Sequence, residues 1–477
     1  MFKLEVLSKE DVDAIHSTAL KILETVGVAI QAKEALGLLA NAGANIDYKE
    51  KRARMPSSLV QECLRRAPQT VNLYARNPKF DVRVERGRVC FWGAGTNIWI
   101  IDIETGKRRL ATRQDSFDVT RLVDALENIG QVNGALTPQD IPPEVAARYV
   151  HSVMLKNSSK PLWFPIDSRD SVEWDIRMTS AVVGDEDELR RRPIISFGTV
   201  CSSPLMFEEE HTRGLLEAVK RGFPVDVESG CMAGATAPAT LAGAIALTMA
   251  EFLAGLTMVQ LVRPGAPILA NLWTRIFDVR NANVSVGSPE FALLRICLGQ
   301  MGQYYGIPVM TGGLSSDSKA ADVQSGYEAM SAFSAAMAGC SMIGEAGTID
   351  SNSTTDPVKL VIDNEVSGMV STVLKGLNVD DETLALDLIK QIGPGGLFMR
   401  TKHTLKHWRE QQWEARISER RNWSEWEQSS SKDTYQRAKE RAKDILKTHY
   451  PDPLPEDVSK LLDGILKEAE KQSSTRH

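Results

Sequence analysis

RPIISFGTVCSSPLMFEEEHTRGLLEAVKRGFPVDVESG, residues 192–230, contains the pattern that decides the fold. An apolar run at 192–200 is followed by an amphipathic stretch at 207–221 and by a second apolar run at 223–230. Short apolar runs bounded by Gly and Pro are typical of buried strands, and apolar residues at helical spacing are typical of a covering helix. The stretch therefore predicts a strand, a helix and a second strand parallel to the first.

The same alternation continues on both sides of this unit. It predicts further strands at 131–138, 160–167, 266–273, 307–314, 340–347 and 357–364. It predicts further helices at 143–156, 239–262, 289–305 and 321–338. Eight strands alternating with helices predict an α/β fold, a (βα)8 TIM-type barrel over residues 115–400, with a doubly wound open sheet as the alternative.

Three sections flank the predicted barrel. Residues 1–70 predict N-terminal helices, the first of them capped by Ser8 and followed by acidic residues in its first turn. Residues 71–114 contain short β-type runs separated by turn signals, which predict a small antiparallel β section. Residues 401–477 are strongly charged and predict a C-terminal helical extension with solvated faces.

Composition restricts the function. The chain has 56 Lys and Arg against 62 Asp and Glu, a formal net charge of −6, so we expect no nucleic-acid partner. The six cysteines are widely spaced and no Cys/His cluster has the spacing of zinc ligands, so we expect reduced thiols and no metal. No motif supplies ligands for a nucleotide or flavin, so we expect no cofactor bound tightly by this chain.

The longest apolar stretch, at 237–262, could span a bilayer by its length. Because it contains Glu251 and many small residues, it predicts a buried helix of the barrel or of a subunit interface rather than a membrane span. The first residues show no basic segment followed by an apolar run, so we expect no signal peptide, no membrane partner and a cytoplasmic protein.

Aromatic and charged residues collect where the predicted strands end. In a barrel, these carboxyl ends and the loops that follow them build the active site. The candidates for substrate binding are Trp163, Phe164, Asn271, Trp273 and Arg275, and the candidates for catalysis include Glu228, Asp317 and Glu345. Aromatic faces with nearby negative charge are how proteins hold a quaternary ammonium. Salt bridges to Arg or Lys are the alternative role of the two glutamates.

Several longer segments resemble one known family. They are GTVCSSPL at 198–205, GCMAGATAPATLAGAIALTMAEFLAGLTMVQLVRPGAPI at 230–268, SPEFALL at 288–294, DVQSGYEA at 322–329 and GPGGLFMRTKHTLKHWR at 393–409. In this order they are similar to the trimethylamine methyltransferase family over most of residues 1–445. The resemblance implies a (βα)8 barrel that moves a methyl group from a methylated amine to the cobalt of a corrinoid carried by a partner protein.

The substrate depends on which kind of family member the chain resembles. Some members carry pyrrolysine and act on trimethylamine, and others lack it and resemble betaine methyltransferases. The loop GGLSSDSKAAD at 312–322 resembles the pyrrolysine region and contains only common amino acids. A quaternary ammonium leaves as a neutral amine when Co(I) attacks its methyl carbon, so positioning and electrostatics suffice. We therefore expect glycine betaine, with its trimethylammonium against Trp163 and Trp273 and its carboxylate on Arg275.

Other interpretations stay open at this point. Trimethylamine, carnitine and proline betaine are alternative methyl donors. A non-catalytic betaine-binding or scaffold protein, or a barrel lyase or isomerase with Glu228 and Glu345 as acid and base, would belong to other classes. The glycines at 393–396 permit the chain to pass near the barrel mouth, which makes His403 a candidate catalytic contact to substrate or corrinoid. The small residues at 239–262 permit close packing within one chain or in a homo-oligomer.

Overall fold

The computed structural model describes residues 4–474, and a closed barrel of eight parallel strands lies at its centre. In chain order the strands are β1 (Cys90–Gly93), β2 (Ile129–Asn133), β3 (Leu162–Pro165), β4 (Ile195–Cys201), β5 (Val225–Ser229), β6 (Ile268–Leu272), β7 (Val309–Gly312) and β8 (Met342–Ala346). Each strand pairs with the next in parallel, and β8 pairs with β1. The predicted TIM-type barrel is confirmed, and the open sheet is excluded.

One helix follows each strand and covers the outside of the barrel. These helices are α1 (Arg113–Ala125), α2 (Pro143–Asn157), α3 (Arg169–Val183), α4 (Glu209–Arg221), α5 (Leu241–Val262), α6 (Pro289–Tyr305), α7 (Met330–Met337) and α8 (Pro357–Lys375). Side chains of Thr112, Ser168, Ser288 and Asp356 accept hydrogen bonds from first-turn N–H groups of α1, α3, α6 and α8. These caps fix the helix starts, because the first N–H groups of a helix have no intrahelical partner.

One of the eight strands predicted from the sequence, the last one, is wrong. Residues 357–364, predicted as a strand, form the first half of α8, which starts behind the cap Asp356. The barrel is closed instead by β1, which lies within the 71–114 section that we predicted to be separate from it. Residues 357–362 form a short run that is apolar except for Lys359, and a run of this length does not distinguish a strand from a buried helix by periodicity.

The rest of the 71–114 section forms two antiparallel pairs. Thr70–Leu73 pairs with Val82–Glu85, and apolar side chains of this hairpin pack against Leu269 and Met342 at the amino-terminal ends of β6 and β8. The hairpin therefore closes the bottom of the barrel. The second pair joins Trp99–Ile101 to Arg108–Leu110, in a sheet that also contains residues 348–349 and 354–355 beyond β8.

The N-terminal residues wrap around α5. Helices Lys9–Lys21, Lys33–Asn41 and Ser57–Arg66 all pack against it, and the predicted Ser8 cap is confirmed by a hydrogen bond from Asp11 N. Among residues 4–474, α5 is the one helix long and apolar enough to cross a membrane, and most of it is buried inside the protein. The predicted buried helix is confirmed.

The remaining elements are short or C-terminal. Further helices are Ile22–Val26 (π), Pro78–Phe80 (3₁₀), Glu186–Arg191, Val323–Glu328, Asp381–Leu384, Leu386–Ile392, Lys402–Gln411, Trp423–Gln428, Thr434–Thr448 and Glu456–Ser474. Further strands are Val28–Ile30, Asn45–Asp47, Arg52–Arg54, Met206–Phe207, Met232–Ala233, Arg275–Asp278, Asn283–Ser285, Thr348–Ile349 and Thr354–Thr355. Thr434–Thr448 packs on α8 and α1, and Glu456–Ser474 packs on α2 and α3, so the C-terminal extension clasps one side of the barrel.

Candidate active site

A cavity of about 180 Å³ opens at the carboxyl ends of the barrel strands. It is lined by Trp92, Gly95, Thr96, Asn133, Trp163, Glu228, Asn271, Trp273, Arg275, Met310, Glu345 and Asn352. Six of these were predicted from the sequence: Trp163, Glu228, Asn271, Trp273, Arg275 and Glu345. The barrel therefore brings together an aromatic wall, two carboxyl groups and one guanidinium in a single small cavity.

Phe164 does not line this cavity, although the sequence made it a candidate substrate contact. Successive side chains of a strand point to opposite faces, so Trp163 points inward and Phe164 points toward the covering helices. The Phe164 ring is fully buried and stacks on His151, with ring centroids 4.0 Å apart. The role predicted for Phe164 is therefore corrected to packing between the barrel and α2.

Asp317 also lies outside the cavity lining. Its carboxylate accepts hydrogen bonds from Val286 N at 2.9 Å, Gly287 N at 3.1 Å and Ser351 Oγ at 3.0 Å. These contacts join the loops that follow β6, β7 and β8. Asp317 thus holds the rim of the barrel together, and the structure does not place it with the predicted catalytic glutamates.

His403 is the third predicted residue that the structure does not bring to the cavity. It lies in the surface helix Lys402–Gln411, where its Nε2 is 3.3 Å from the carbonyl oxygen of Glu382. Its ring lies beside that of His407, with centroids 4.4 Å apart. The glycines at 393–396 therefore do not carry His403 to the cavity wall.

Each of the three indoles in the wall lies against a glycine of a neighbouring strand. The pairs are Trp163 with Gly198, Trp273 with Gly312, and Trp92 with Gly344. A Cβ atom at these glycines would come within 2.3, 2.2 and 1.6 Å of the indole atoms, respectively. Only glycine leaves room for the rings, so three glycines on strands β4, β7 and β8 shape the aromatic wall.

A buried hydrogen-bond chain fixes two of these indoles. Trp273 Nε1 donates to Asn271 Oδ1 at 2.7 Å, and Asn271 Nδ2 donates to Asp226 Oδ1 at 2.8 Å. Trp163 Nε1 donates to the other oxygen of Asp226 at 2.6 Å. Burial raises the pKa of Asp226 to about 7. We did not predict Asp226, although it lies two residues before Glu228 and must share the inward face of β5.

The two glutamates lie near each other in the cavity. Burial raises the pKa of Glu345 to about 8, and the nearby Glu228 raises it further. Burial also raises the pKa of Glu228, which Arg275 partly offsets. Glu228 and Arg275 approach each other beside Gly230. A Cβ atom placed on Gly230 would lie 3.2 Å from both Glu228 Oε1 and Arg275 Nη2. We infer that Glu345 keeps its proton near pH 7, whereas Arg275 provides a positive charge beside Glu228.

The end of β8, which carries Glu345, and the loop that follows it are strained. The backbone φ of Glu345 is +69°, and Asp350, Ser351 and Asn352 also have positive φ angles. Non-glycine residues in this region cost free energy, and such residues cluster at functional sites. The loop is fixed from behind by the buried ion pair of Lys359 and Asp363 in α8, because Asp363 accepts a hydrogen bond from Gly347 N.

Several buried polar atoms of the cavity wall have no hydrogen-bond partner in the described protein. They are Trp92 Nε1, Asn133 Oδ1, Arg275 Nε, Glu345 Oε2 and Asn352 Oδ1. Buried polar groups are nearly always paired, because an unpaired one costs about 1–3 kcal/mol. A polar ligand or water in the cavity would supply the missing partners. Over residues 4–474, no group of three His, Cys, Asp or Glu side chains could hold a metal ion.

The buried Glu345 carboxyl makes stability depend on pH. Between its reference pKa of 4.5 and its folded value of about 8, the folded chain holds a proton that the unfolded chain has released. The contribution of the Glu345 carboxyl to the free energy of unfolding is therefore most favourable below the reference pKa. It is lost as pH rises toward 8. We expect Glu345→Gln, which stays neutral, to raise Tm by about 1–4 °C at pH 8 and to leave it unchanged near pH 4.

Calorimetry at both pH values tests this expectation. Glu414→Gln is the matched control, because the Glu414 side chain is 80% exposed. A Tm for Glu345→Gln that is lower than that of the wild type at pH 8 would show that Glu345 is ionised in the folded chain.

Comparisons with known proteins identify the family to which this chain is similar. The family model described as trimethylamine methyltransferase matches residues 1–473. The chain is 35% identical to the trimethylamine methyltransferase MttB of Desulfitobacterium hafniense DCB-2, over 99% of this chain and 95% of that protein. It is 30% identical to the glycine betaine methyltransferase of D. hafniense Y51, over 98% of each.

A solved structure shares the fold. The monomethylamine methyltransferase MtmB of Methanosarcina barkeri superposes with a TM-score of 0.50 at 10% identity, over 94% of this chain and 95% of that one. With a family model over nearly the whole length and relatives at 30–35% identity, this chain belongs to the trimethylamine methyltransferase family and is an enzyme with methyl transfer activity.

Proposed function

We propose that the enzyme transfers a methyl group from glycine betaine, a quaternary amine that carries a carboxylate, to the Co(I) corrinoid of a partner protein. The observation that carries this proposal is the cavity wall, where three indoles and two carboxyl groups share one space with Arg275. Indole faces attract a cation that cannot donate hydrogen bonds. Arg275 offers the paired N–H donors that a substrate carboxylate requires.

The charge balance of the cavity favours a zwitterion. The cavity offers groups of both signs, because Arg275 lies beside Glu228 and opposes the rise that burial causes in the pKa of that carboxyl. Glycine betaine also carries one charge of each sign, so each end finds an opposite charge. A bare trimethylammonium ion would add a second cation near the half-buried Arg275 and bring no carboxylate to bind it, which is unfavourable.

The size of the cavity supports a corrinoid supplied from outside. About 180 Å³ suits a small amine but is far smaller than a corrinoid macrocycle. When carried to the barrel mouth by its partner, the corrinoid would supply the Co(I) nucleophile. The chain's own residues then bind the ammonium, orient one methyl group outward and exclude water.

A cytoplasmic location completes the proposal. The chain's six cysteines are free thiols, and five of them are buried. Unpaired cysteines are usual in the reducing cytoplasm.

Trimethylamine is the second candidate, and Glu345 is the observation that favours it. A tertiary amine is a poor methyl donor until it is protonated, and the raised pKa of Glu345 leaves a proton available inside the cavity. Carnitine and proline betaine share the charged ends of glycine betaine but are larger. The small cavity therefore disfavours them.

Methyl transfer to cob(I)alamin, followed by the loss of the Co(I) spectrum, tests the proposal. The panel is glycine betaine, carnitine, proline betaine and trimethylamine, each at the same concentration. We expect glycine betaine to be the best donor. Transfer from trimethylamine without transfer from glycine betaine would contradict the quaternary substrate. Transfer from no amine, with either free cobalamin or a corrinoid protein, would contradict the proposed acceptor.

The aromatic wall gives a graded prediction. We expect the KM for glycine betaine to be lowest for the wild type, higher for Trp92→Phe and highest for Trp92→Leu. The rise for the leucine variant should be about 2–30-fold, because one cation–π contact contributes about 0.5–2 kcal/mol. Trp92 is the cleanest position, since its Nε1 has no partner to lose. Trp423→Leu is the control, because Trp423 is exposed on a surface helix. Equal KM values for all variants would remove the indole from the binding site.

A further inference from the structure

Asp317 lies between two loops of the barrel mouth that each carry a residue of the cavity wall. The first loop is a hairpin, in which the strand Arg275–Asp278 pairs with the strand Asn283–Ser285. The second loop follows β8 and contains a turn that includes Asn352. Arg275 and Asn352 both line the cavity. The positions of these two side chains therefore depend on what holds the hairpin and the turn.

The hairpin is held at its end by the Asp317 carboxylate. Asp317 accepts hydrogen bonds from Val286 N at 2.9 Å and from Gly287 N at 3.1 Å, and it also accepts one from the Ser285 hydroxyl. Hydrogen bonds to a carboxylate are charge-assisted and are stronger than those between neutral groups. Asp317 therefore fixes the strand that pairs with the strand of Arg275.

The turn is held by the same carboxylate. Asp350, Ser351 and Asn352 have backbone φ angles of +59°, +53° and +72°, which cost free energy in residues other than glycine. Such a conformation persists only where surrounding contacts hold it. Ser351 makes two of these contacts, because its hydroxyl donates to Asp317 Oδ1 at 3.0 Å and its N–H donates to the carbonyl oxygen of Ser316 at 3.0 Å. The residue next to Asn352 is thus tied to the loop of Asp317.

Asp317 is itself held by the segment DVQSGYEA, residues 322–329. Glu328 of this segment is 5% exposed, and its carboxylate accepts hydrogen bonds from Asp317 N at 2.9 Å and from the Ser316 hydroxyl. Gln324 Nε2 donates to the other oxygen of Glu328 at 2.8 Å, which orients this carboxylate. The segment therefore fixes the backbone from which the Asp317 side chain reaches the hairpin and the turn.

We propose that Asp317 is a positioning residue that sets the side of the cavity to which the substrate carboxylate binds. One carboxylate joins the hairpin of Arg275 to the turn of Asn352, so one side chain determines how both residues face the cavity. The proposal rests on the proposed function, because glycine betaine is the ligand whose carboxylate would bind Arg275.

The ammonium side of the cavity does not depend on Asp317. The indoles of the cavity wall lie against glycines of the barrel strands, and two of them are held by the hydrogen-bond chain through Asp226. The loss of Asp317 should therefore affect the two ends of the substrate unequally. A residue that only stabilises the fold would affect both ends alike.

Isothermal titration calorimetry of the full chain with two ligands tests the proposal. Tetramethylammonium resembles the ammonium end of glycine betaine and has no carboxylate. We expect Asp317→Ala to weaken the binding of glycine betaine by about tenfold and the binding of tetramethylammonium by less than about twofold, because only the hydrogen bonds to the carboxylate lose their geometry. An equal loss of affinity for both ligands would overturn the proposal.

Asp317→Asn separates the lost hydrogen bonds from a general loss of stability. Its amide oxygen still accepts from Val286 N and the Ser351 hydroxyl, whereas its NH2 group faces the N–H of Gly287. We therefore expect an affinity for glycine betaine between those of the wild type and Asp317→Ala. Asp387→Ala is the control, because the Asp387 side chain is 99% exposed. Circular dichroism and Tm establish that every variant is folded.

Hydrogen exchange followed by mass spectrometry tests the same contacts without a ligand. In Asp317→Ala the N–H groups at 286 and 287 lose their acceptor, so we expect peptides covering 284–288 and 349–353 to exchange about fivefold faster or more. Unchanged exchange in both peptides would overturn the proposal. A wild type that binds tetramethylammonium but no glycine betaine would contradict the proposed function instead, and the exchange rates would then decide whether Asp317 holds the two loops.

Discussion

The Arg275→Ala variant is expected to raise the KM for glycine betaine by about 10–150-fold, because a charge-assisted hydrogen bond contributes about 1.5–3 kcal/mol. Arg275 lines the cavity, its Nε has no protein partner, and it forms no salt bridge with Asp278. Although Glu228 is nearby, the guanidinium can therefore also bind a substrate carboxylate. This rise in KM should exceed the rise caused by replacing any single indole of the cavity wall.

Steady-state kinetics with two donors measure this effect. For trimethylamine, which has no carboxylate, Arg275→Ala should leave KM unchanged or lower it, because removing a cation favours a positively charged ligand. The control is Arg280→Ala, since Arg280 is in the same loop and 90% exposed. An equal rise of KM for both donors would mean that Arg275 shapes the cavity without binding the carboxylate.

The barrel could be predicted because its signal is repeated many times. Seven of the eight predicted strands coincide with barrel strands, since each is a short apolar run followed by an amphipathic helix. The error at 357–364 arose because the first turns of α8 pack between the barrel and Thr434–Thr448 and are buried nearly all round, the charged Lys359 and Asp363 included. The stretch therefore lacks the polar exposed face by which an amphipathic helix is recognised. The Asp356-Pro357 start was the available signal for a helix.

The cavity was predicted in part, and strand geometry explains which part. Residues at the ends of apolar strands converge at the barrel mouth, which is why Glu228 and Glu345 were found. Trp92 was missed because β1 was assigned to the antiparallel section. Alternation along a strand would have excluded Phe164 once Trp163 was taken to point inward.

Other roles could not be read from sequence patterns. Asp317 is in a loop after β7, and nothing local shows that its carboxylate turns toward backbone N–H groups at 286–287 instead of the cavity. His403 is in the surface helix Lys402–Gln411, whose position depends on tertiary contacts. Loop conformations of this kind depend on contacts that are distant in sequence, so residue type alone does not place them.

The largest loss of stability is expected for Lys359→Met, which should lower the free energy of unfolding by about 3–5 kcal/mol because it leaves a buried carboxylate without its cation. Lys359 and Asp363 are fully buried and 2.6 Å apart in α8. Urea unfolding measures the change. The control is Lys390→Met, whose pair with Asp387 is exposed and should change stability by less than about 0.5 kcal/mol.

The same ion pair connects stability to the cavity. Lys359 donates to the carbonyl oxygen of Leu314 after β7, and Asp363 accepts from Gly347 N, two residues after Glu345. We therefore expect Lys359→Met/Asp363→Leu to recover much of the lost stability, since no buried charge remains, while kcat stays low because the strained loop has lost its anchor. Recovery of stability and kcat together would show that the loop needs no anchor to place Glu345.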